Sequence, residues 1–408
     1  MKISRLGIIL LVGFVLRVVL VVVNLEVATL PQGGGDAIGF ERKAWEHAAR
    51  GRAPLSYYVL SSSEFIVLPG SLVYSLTGRA PYVLALLMVA LGVGVIYLAH
   101  QTALELWDDA KAARAVAWAV ALFPQLLLHS ALFLREIPVA FCLAGAGLSA
   151  IRYVKRNDLK QVVWFSCWIA VGALFHSGVI FAIPALVLGN LLARPRGGRA
   201  RVRYYATNIL AVVLLAGVMY AVNATGFGLG KFGGSLDQVP ETFTTRELQD
   251  VTGDAAFPEW LRIRGGVSEA WKVPVRYVAL VFSPLVPYMV RQPEHVLGLV
   301  DAALYLGLFW IVVRHWRTLK ENRPAFVLLV VVLMLLLTYA LGVSNFGTAI
   351  RHRAKMAPLL LILAAGLPGL VRRYRRWLAD ARAHRLTVSR QARVAWPQSS
   401  SSPATPAR

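Results

Sequence analysis

Long apolar runs separated by short polar connections fill the chain from residue 6 to residue 371. The runs lie at about 6–24, 81–103, 113–131, 136–153, 161–175, 177–193, 205–222, 294–313, 325–343 and 355–371. Most approach or reach the length that a helix needs to cross a bilayer. The pattern predicts an all-α, polytopic membrane protein of about ten transmembrane helices. Met1–Asn24 has a basic start, an apolar stretch containing Arg17 and no clear small-residue cleavage site, so it reads as an uncleaved first helix.

Two apolar pieces depart from the pattern. Residues 56–76 are interrupted by Ser61-Ser62-Ser63-Glu64 and Pro69-Gly70 and read as a re-entrant or interfacial segment. Residues 274–290 hold Pro274, Pro284 and Pro287 and read as half-embedded. Between them in character is Phe40–Arg50, where Phe40, Ala44 and His47 or Ala48 recur at helical spacing. That predicts an amphipathic helix on the membrane surface, with Glu41 and Glu46 on its polar face. The longest polar loop, 223–273, carries Trp260 and Trp271 as interfacial anchors. Its Asp250, Asp254 and Glu259 read as solvated, with metal binding the lesser alternative.

The organisation that follows is one transmembrane domain over 1–371, with outer-face loops at 25–80 and 223–293, and a basic tail over 372–408. The tail opens Arg-rich and ends in a Ser/Pro segment expected to be disordered and cytoplasmic. A net charge of +22 in a soluble chain would suggest nucleic acid. Here 57% of residues are hydrophobic, so the basic clusters orient helices instead and no nucleic-acid partner is expected. The clusters are Arg152 to Arg156, Arg194 to Arg203, Arg314 to Arg323 and the tail. Placing them all in the cytoplasm brings Asp36, Arg135-Glu136, the 223–273 loop and Arg351-His352-Arg353 to the outer face. Cys142 and Cys167 sit inside apolar runs and suggest neither a disulfide framework nor a metal site. There is no P-loop and no His-Glu-x-x-His motif, and glycine-rich Gly226–Gly234 does not lie between a strand and a helix.

Chemistry can therefore start only from the outer charges. Asp36 follows three glycines, which allow a close backbone approach to a ligand, although Asp also suits a plain turn or helix start. Arg135-Glu136 precedes Ile137-Pro138 at a helix start, where Glu136 either complements the helix dipole or binds a metal or sugar hydroxyl. His176 lies between two short spans as a packing residue or a substrate ligand. Arg351, His352, Arg353 and Lys355 follow Gly347-Thr348 in a very short connection between two spans. Cations at such a boundary meet water, lipid headgroups or a bound anion.

The acidic residue after the first helix, Leu134-Arg135-Glu136-Ile137-Pro138 and Gly347-Thr348-Ala349-Ile350-Arg351-His352-Arg353 before the last helix resemble the GT-C glycosyltransferases. The groups meant are the protein-mannosyltransferase-like and lipopolysaccharide-sugar-transferase-like membrane proteins. The resemblance implies a GT-C-like fold and transfer of a sugar from a polyprenyl-phosphate or polyprenyl-diphosphate carrier at the outer face, within the membrane lipids. The acceptor would be a saccharide, a lipid or a protein. It makes Asp36 the catalytic base and the Arg351/Arg353 pair the binder of lipid phosphate; from the residues themselves, Glu136 is a second candidate catalytic carboxylate, and Arg135, His176, His352 and Lys355 are candidate substrate-binding residues. Asp36 stands alone where many members carry Asp-Glu, so a divalent metal, Mg or Mn, is left open and none is assigned. Arg135-Glu136, Arg152-Tyr153 and Leu174-Phe175-His176-Ser177 also resemble the O-antigen and exopolysaccharide polymerases, which draw on the same carriers. A transporter or flippase of lipid-linked sugars would use the same cations but would show inverted halves and broken helices near the midplane; no such pairing is visible in the sequence. A scaffold without chemistry would make the outer charges incidental.

Overall fold

The computed structural model describes residues 4–61, 64–193, 198–230, 234–238, 256–263, 267–284, 293–343 and 345–369. The tail, Asp250, Asp254 and most of the basic stretch 194–203 fall outside these residues or have no described side chain.

The described chain is helical, with one isolated bridge, Ala256 to Asn345. In order, the helices are α1 (Arg5–Val22), α2 (Asp36–Arg50), α3 (Leu55–Leu60), α4 (Val67–Thr77), α5 (Pro81–Trp107) and α6 (Ala110–Leu122). They continue as α7 (Pro124–His129), α8 (Glu136–Arg156), α9 (Leu159–Phe175), α10 (Ala182–Leu192) and α11 (Gly198–Thr225). The last are α12 (Lys272–Phe282), α13 (Pro293–Arg314), α14 (Trp316–Glu321), α15 (Arg323–Gly342), α16 (Phe346–Ala354) and α17 (Ala357–Gly369). Six described helices are long and apolar enough to cross a membrane, and Val67–Thr77, Leu159–Phe175, Ser177–Leu192 and Ala357–Gly369 are shorter apolar segments. The chain is a multi-pass membrane protein. Its outer helices turn apolar side chains away from the protein, as Ile8, Leu11 and Val15 do on α1 and Leu306, Trp310 and Val313 on α13. Such a surface is the one a bilayer covers.

α8 is the axis. It is buried almost throughout and packs on α5, α9 and α15. Its Ala144-Gly145-Ala146-Gly147 run makes this possible, because a Cβ on Gly145 would come within 2.4 Å of the Trp168 ring of α9. Small residues at such crossings let membrane helices close to backbone contact. The single span predicted over 113–131 is two helices instead. Pro124 holds Phe123 extended (φ −65°, ψ 120°), so α6 stops and α7 restarts in a new direction. The predicted surface helix is α2. It buries Ala37, Phe40 and Ala44 in a cluster with Val67 and Tyr74 of α4.

The two ends of the bundle differ in chemistry. At one end Glu105, on α5, meets Arg152 (3.5 Å), Lys155 (3.7 Å) and Arg156 (2.7 Å) of α8. At the other end of α8, about 30 Å away at 1.5 Å per residue, stand Glu136, Asp36 and Arg351. If the basic end faces the cytoplasm, an impermeant maleimide should label Gly78→Cys and spare Asn157→Cys in intact cells, in a background lacking Cys142 and Cys167. The reverse pattern would invert the orientation.

Candidate functional site

Residues 346–354, expected as part of a short connection, form a helix, α16. Asn345 caps it, its Oδ1 accepting from the Gly347 (2.7 Å) and Thr348 (3.4 Å) amides. Buried arginines fasten both ends. Arg276 of α12 donates to the carbonyls of Ala340 (2.9 Å), Leu341 (3.4 Å) and Val343 (2.5 Å), tying down the turn that enters α16. Arg353, near the far end, is fully buried and forms an ion pair with Asp301 of α13 at 2.8 Å. It also donates to the carbonyls of Val281 (2.9 Å), Ser283 (2.5 Å) and Gly298 (2.7 Å).

This geometry corrects the expectation for Arg353. Two positions apart on a helix are roughly 200° apart around it, so Arg351 and Arg353 face opposite ways. Arg353 points into protein, where its guanidinium is saturated by fixed acceptors, and it has no nitrogen to offer a phosphate from the outer face. Arg353→Ala should cost about 3–5 kcal/mol of stability by leaving Asp301 unpaired in the interior. Thermal unfolding of the purified variant measures this.

Arg351 faces the candidate site. Its Nη1 donates to Asp36 Oδ2 at 2.6 Å, and its Nε and Nη2 both lie 3.1 Å from Glu136 Oε1. Residues 36, 136 and 351, from three distant parts of the chain, thus meet through one guanidinium. Gly35, at φ +45°, makes the sharp turn that sets Asp36 at the start of α2. Glu136 opens α8 and is buried; its Oε2 has no hydrogen-bond partner. Burial opposes the charge on Arg351, but Glu136 and Asp36 outweigh it and hold the guanidinium's pKa above its ordinary value.

Behind this pair lies a compact aromatic and basic cluster. Lys355 Nζ is 2.8 Å from His352 Nδ1 and 3.9 Å from Glu136 Oε1. The His352 ring centroid is 4.8 Å from those of His176 and Tyr339. His176, His352 and Lys355 therefore line up behind Arg351, and none of them lines the cavity in front of it. Arg135 packs over the Phe40 ring at 5.2 Å. Its Nε and Nη1 are buried without a hydrogen-bond partner, and it feels the charges of Glu136, Arg351, Asp36 and Glu64.

The cavity is about 630 Å³, with walls of mixed polar and apolar character. One wall is the 29–36 segment with Gln32 and Asp36; the other is α16 with Asn345, Thr348 and Arg351, joined by His295. Two of these participants escaped the sequence reading. His129, on α7, meets Gln32 (Nε2 to Oε1, 2.9 Å), and His295 packs on Phe346. Both sit in or beside apolar runs, where an ionisable residue inside a span is itself the available signal. Among the described residues no group of three or more His, Cys, Asp and Glu side chains could hold a metal ion. The two carboxylates that could begin a metal site already share Arg351.

No protein-family model and no curated protein matches the sequence. The fold is similar to the crystal structure of ArnT from Cupriavidus metallidurans bound to undecaprenyl phosphate, with a TM-score of 0.51 and 15% identity. The match covers 88% of this chain and 60% of that one, so the chain spans about three-fifths of the length of ArnT. The likeness is one of fold: the all-α, multi-pass architecture expected from the sequence is present, and it is similar to that of ArnT.

Proposed function

We propose that this protein is a glycosyltransferase of a bacterial plasma membrane, moving a sugar from a polyprenyl-phosphate carrier to an acceptor hydroxyl at the outer face. The observation that carries the reading is Arg351, held between Asp36 and Glu136 at the wall of the cavity. The similarity of fold to a protein crystallised with undecaprenyl phosphate supports the choice of carrier.

The roles follow from position. Asp36, half-exposed in the cavity wall, takes the proton from the acceptor hydroxyl as its oxygen attacks the anomeric carbon. The bond from that carbon to the carrier's phosphate oxygen breaks, and the phosphate leaves with the electron pair. Arg351 stabilises the charge that develops there, with Arg135 adding its positive field from beside Glu136. Glu136, buried and turned to Arg351, positions the guanidinium. Lys355, His352 and His176 support it from behind. No step here is assigned to a metal. Donor sugar and acceptor, whether saccharide, lipid or protein, are selected at the cavity walls.

The test is transfer of radiolabelled sugar from defined polyprenyl-phosphate donors by purified protein in nanodiscs. Transfer to an acceptor fraction is the expected result. Donor binding followed by movement of intact carrier across the bilayer, without transfer, would replace the enzyme with a flippase.

A further inference from the structure

On the reading just given, Asp36 must accept a proton, yet its Oδ2 is occupied by Arg351 Nη1 at 2.6 Å. The arginine is held unequally. The Glu136 side chain is 3% exposed and the Asp36 side chain 52%. Breaking an ion pair to a buried partner is costly, whereas one to a solvated carboxylate contributes little. The link to Asp36 is therefore the one that yields. Arg135, next to Glu136 in sequence, holds two buried guanidinium nitrogens without partners but does not line the cavity, so the exchange falls to Arg351.

We propose that the phosphate of the donor takes Nη1 of Arg351 away from Asp36, so that the carboxylate becomes free to receive a proton only when the donor is seated. Glu136 keeps Arg351 in place during the exchange. The order of binding is then donor first, acceptor second, and the base is masked in the empty enzyme. Fork-shaped guanidinium groups suit such an exchange, since phosphate and carboxylate present the same pair of acceptor oxygens.

The exchange makes Asp36 a competitor of the donor, which gives an unusual expectation. Asp36→Asn and Asp36→Ala remove the competitor and should bind a sugar-free polyprenyl phosphate about three- to tenfold more tightly than the natural protein at low salt. The probe is geranylgeranyl phosphate titrated against full-length protein in neutral-lipid nanodiscs. The gain should shrink as added salt screens the ion pair. Equal or weaker binding by both variants, with clear binding by the natural sequence, overturns the exchange and leaves the transferase reading standing. Absence of binding in all three proteins overturns the reading and the exchange together. Glu136→Gln should move the other way and weaken binding, because it releases the guanidinium from its buried anchor. Tightening in that variant also counts against the exchange.

Discussion

Asp36→Asn is expected to lower sugar transfer by about 10²–10⁴-fold, the usual cost of removing a general base. The amide keeps the size of the carboxylate and can still accept a hydrogen bond from Arg351, but it cannot take the proton from the acceptor. Asp36 is half-exposed at the first turn of α2, so expression and thermal stability should change little. Single-turnover transfer with bound donor separates loss of chemistry from loss of binding. Transfer at the natural rate by Asp36→Asn, with Glu136→Gln inactive, would move the reacting carboxylate to the start of α8. Normal transfer by both would remove acid–base chemistry at these positions altogether.

Arg351→Ala is expected to be harmful in two separable ways. Donor affinity should fall by tenfold or more, because the cation that faces the cavity is gone and a charged hydrogen bond to phosphate is lost. Stability should fall too, by about 3–5 kcal/mol, since Glu136 would remain buried with Lys355 Nζ, 3.9 Å away, as its nearest paired cation. The two effects part in the double variant Arg351→Ala, Glu136→Gln. Removing the orphaned charge should recover much of the melting temperature and none of the donor affinity. Arg351→Lys should retain part of each, as a single ammonium cannot serve Asp36 and Glu136 at once. A single variant as stable as the natural protein would show that Glu136 does not depend on Arg351.

The meeting of Asp36, Glu136 and Arg351 was legible because three short polar breaks between long apolar runs must share a membrane face. What the linear pattern could not separate was Arg351 from Arg353. Read as a connection, the segment carries one basic cluster; as a helix it carries two arginines with opposite duties. The partner that claims Arg353, Asp301, lies inside the apolar run 294–313 and has no neighbour in sequence to mark its role. Arg276 was hidden in the same way, within a piece read as half-embedded. The division of 113–131 at Pro124 was visible as a residue, yet apolar length outweighed it, and with the bend went His129 and its contact to Gln32. Hydropathy reports the solvent a segment meets and is blind to the partner a buried charge finds.

The unequal fastening of the two cavity walls has a bearing on how the protein could acquire new substrates. α16 is bolted by Arg276 and Arg353 to the α12, α13 and α15 helices. The opposite wall, 29–36, is tethered lightly, by Asn24 Oδ1 to the Leu30 amide, a Gly33–Leu30 turn and the His129–Gln32 contact. Around Gly34 and Gly35 nothing lies within 4 Å of where a side chain would start. The cavity is thus a vice with one fixed and one sliding jaw. Gly33 is crowded and Gly35 is held at φ +45°, but Gly34 has open space, so drift toward other sugars can accumulate there without disturbing the guanidinium opposite, and the chemistry and the choice of sugar are free to evolve at different rates.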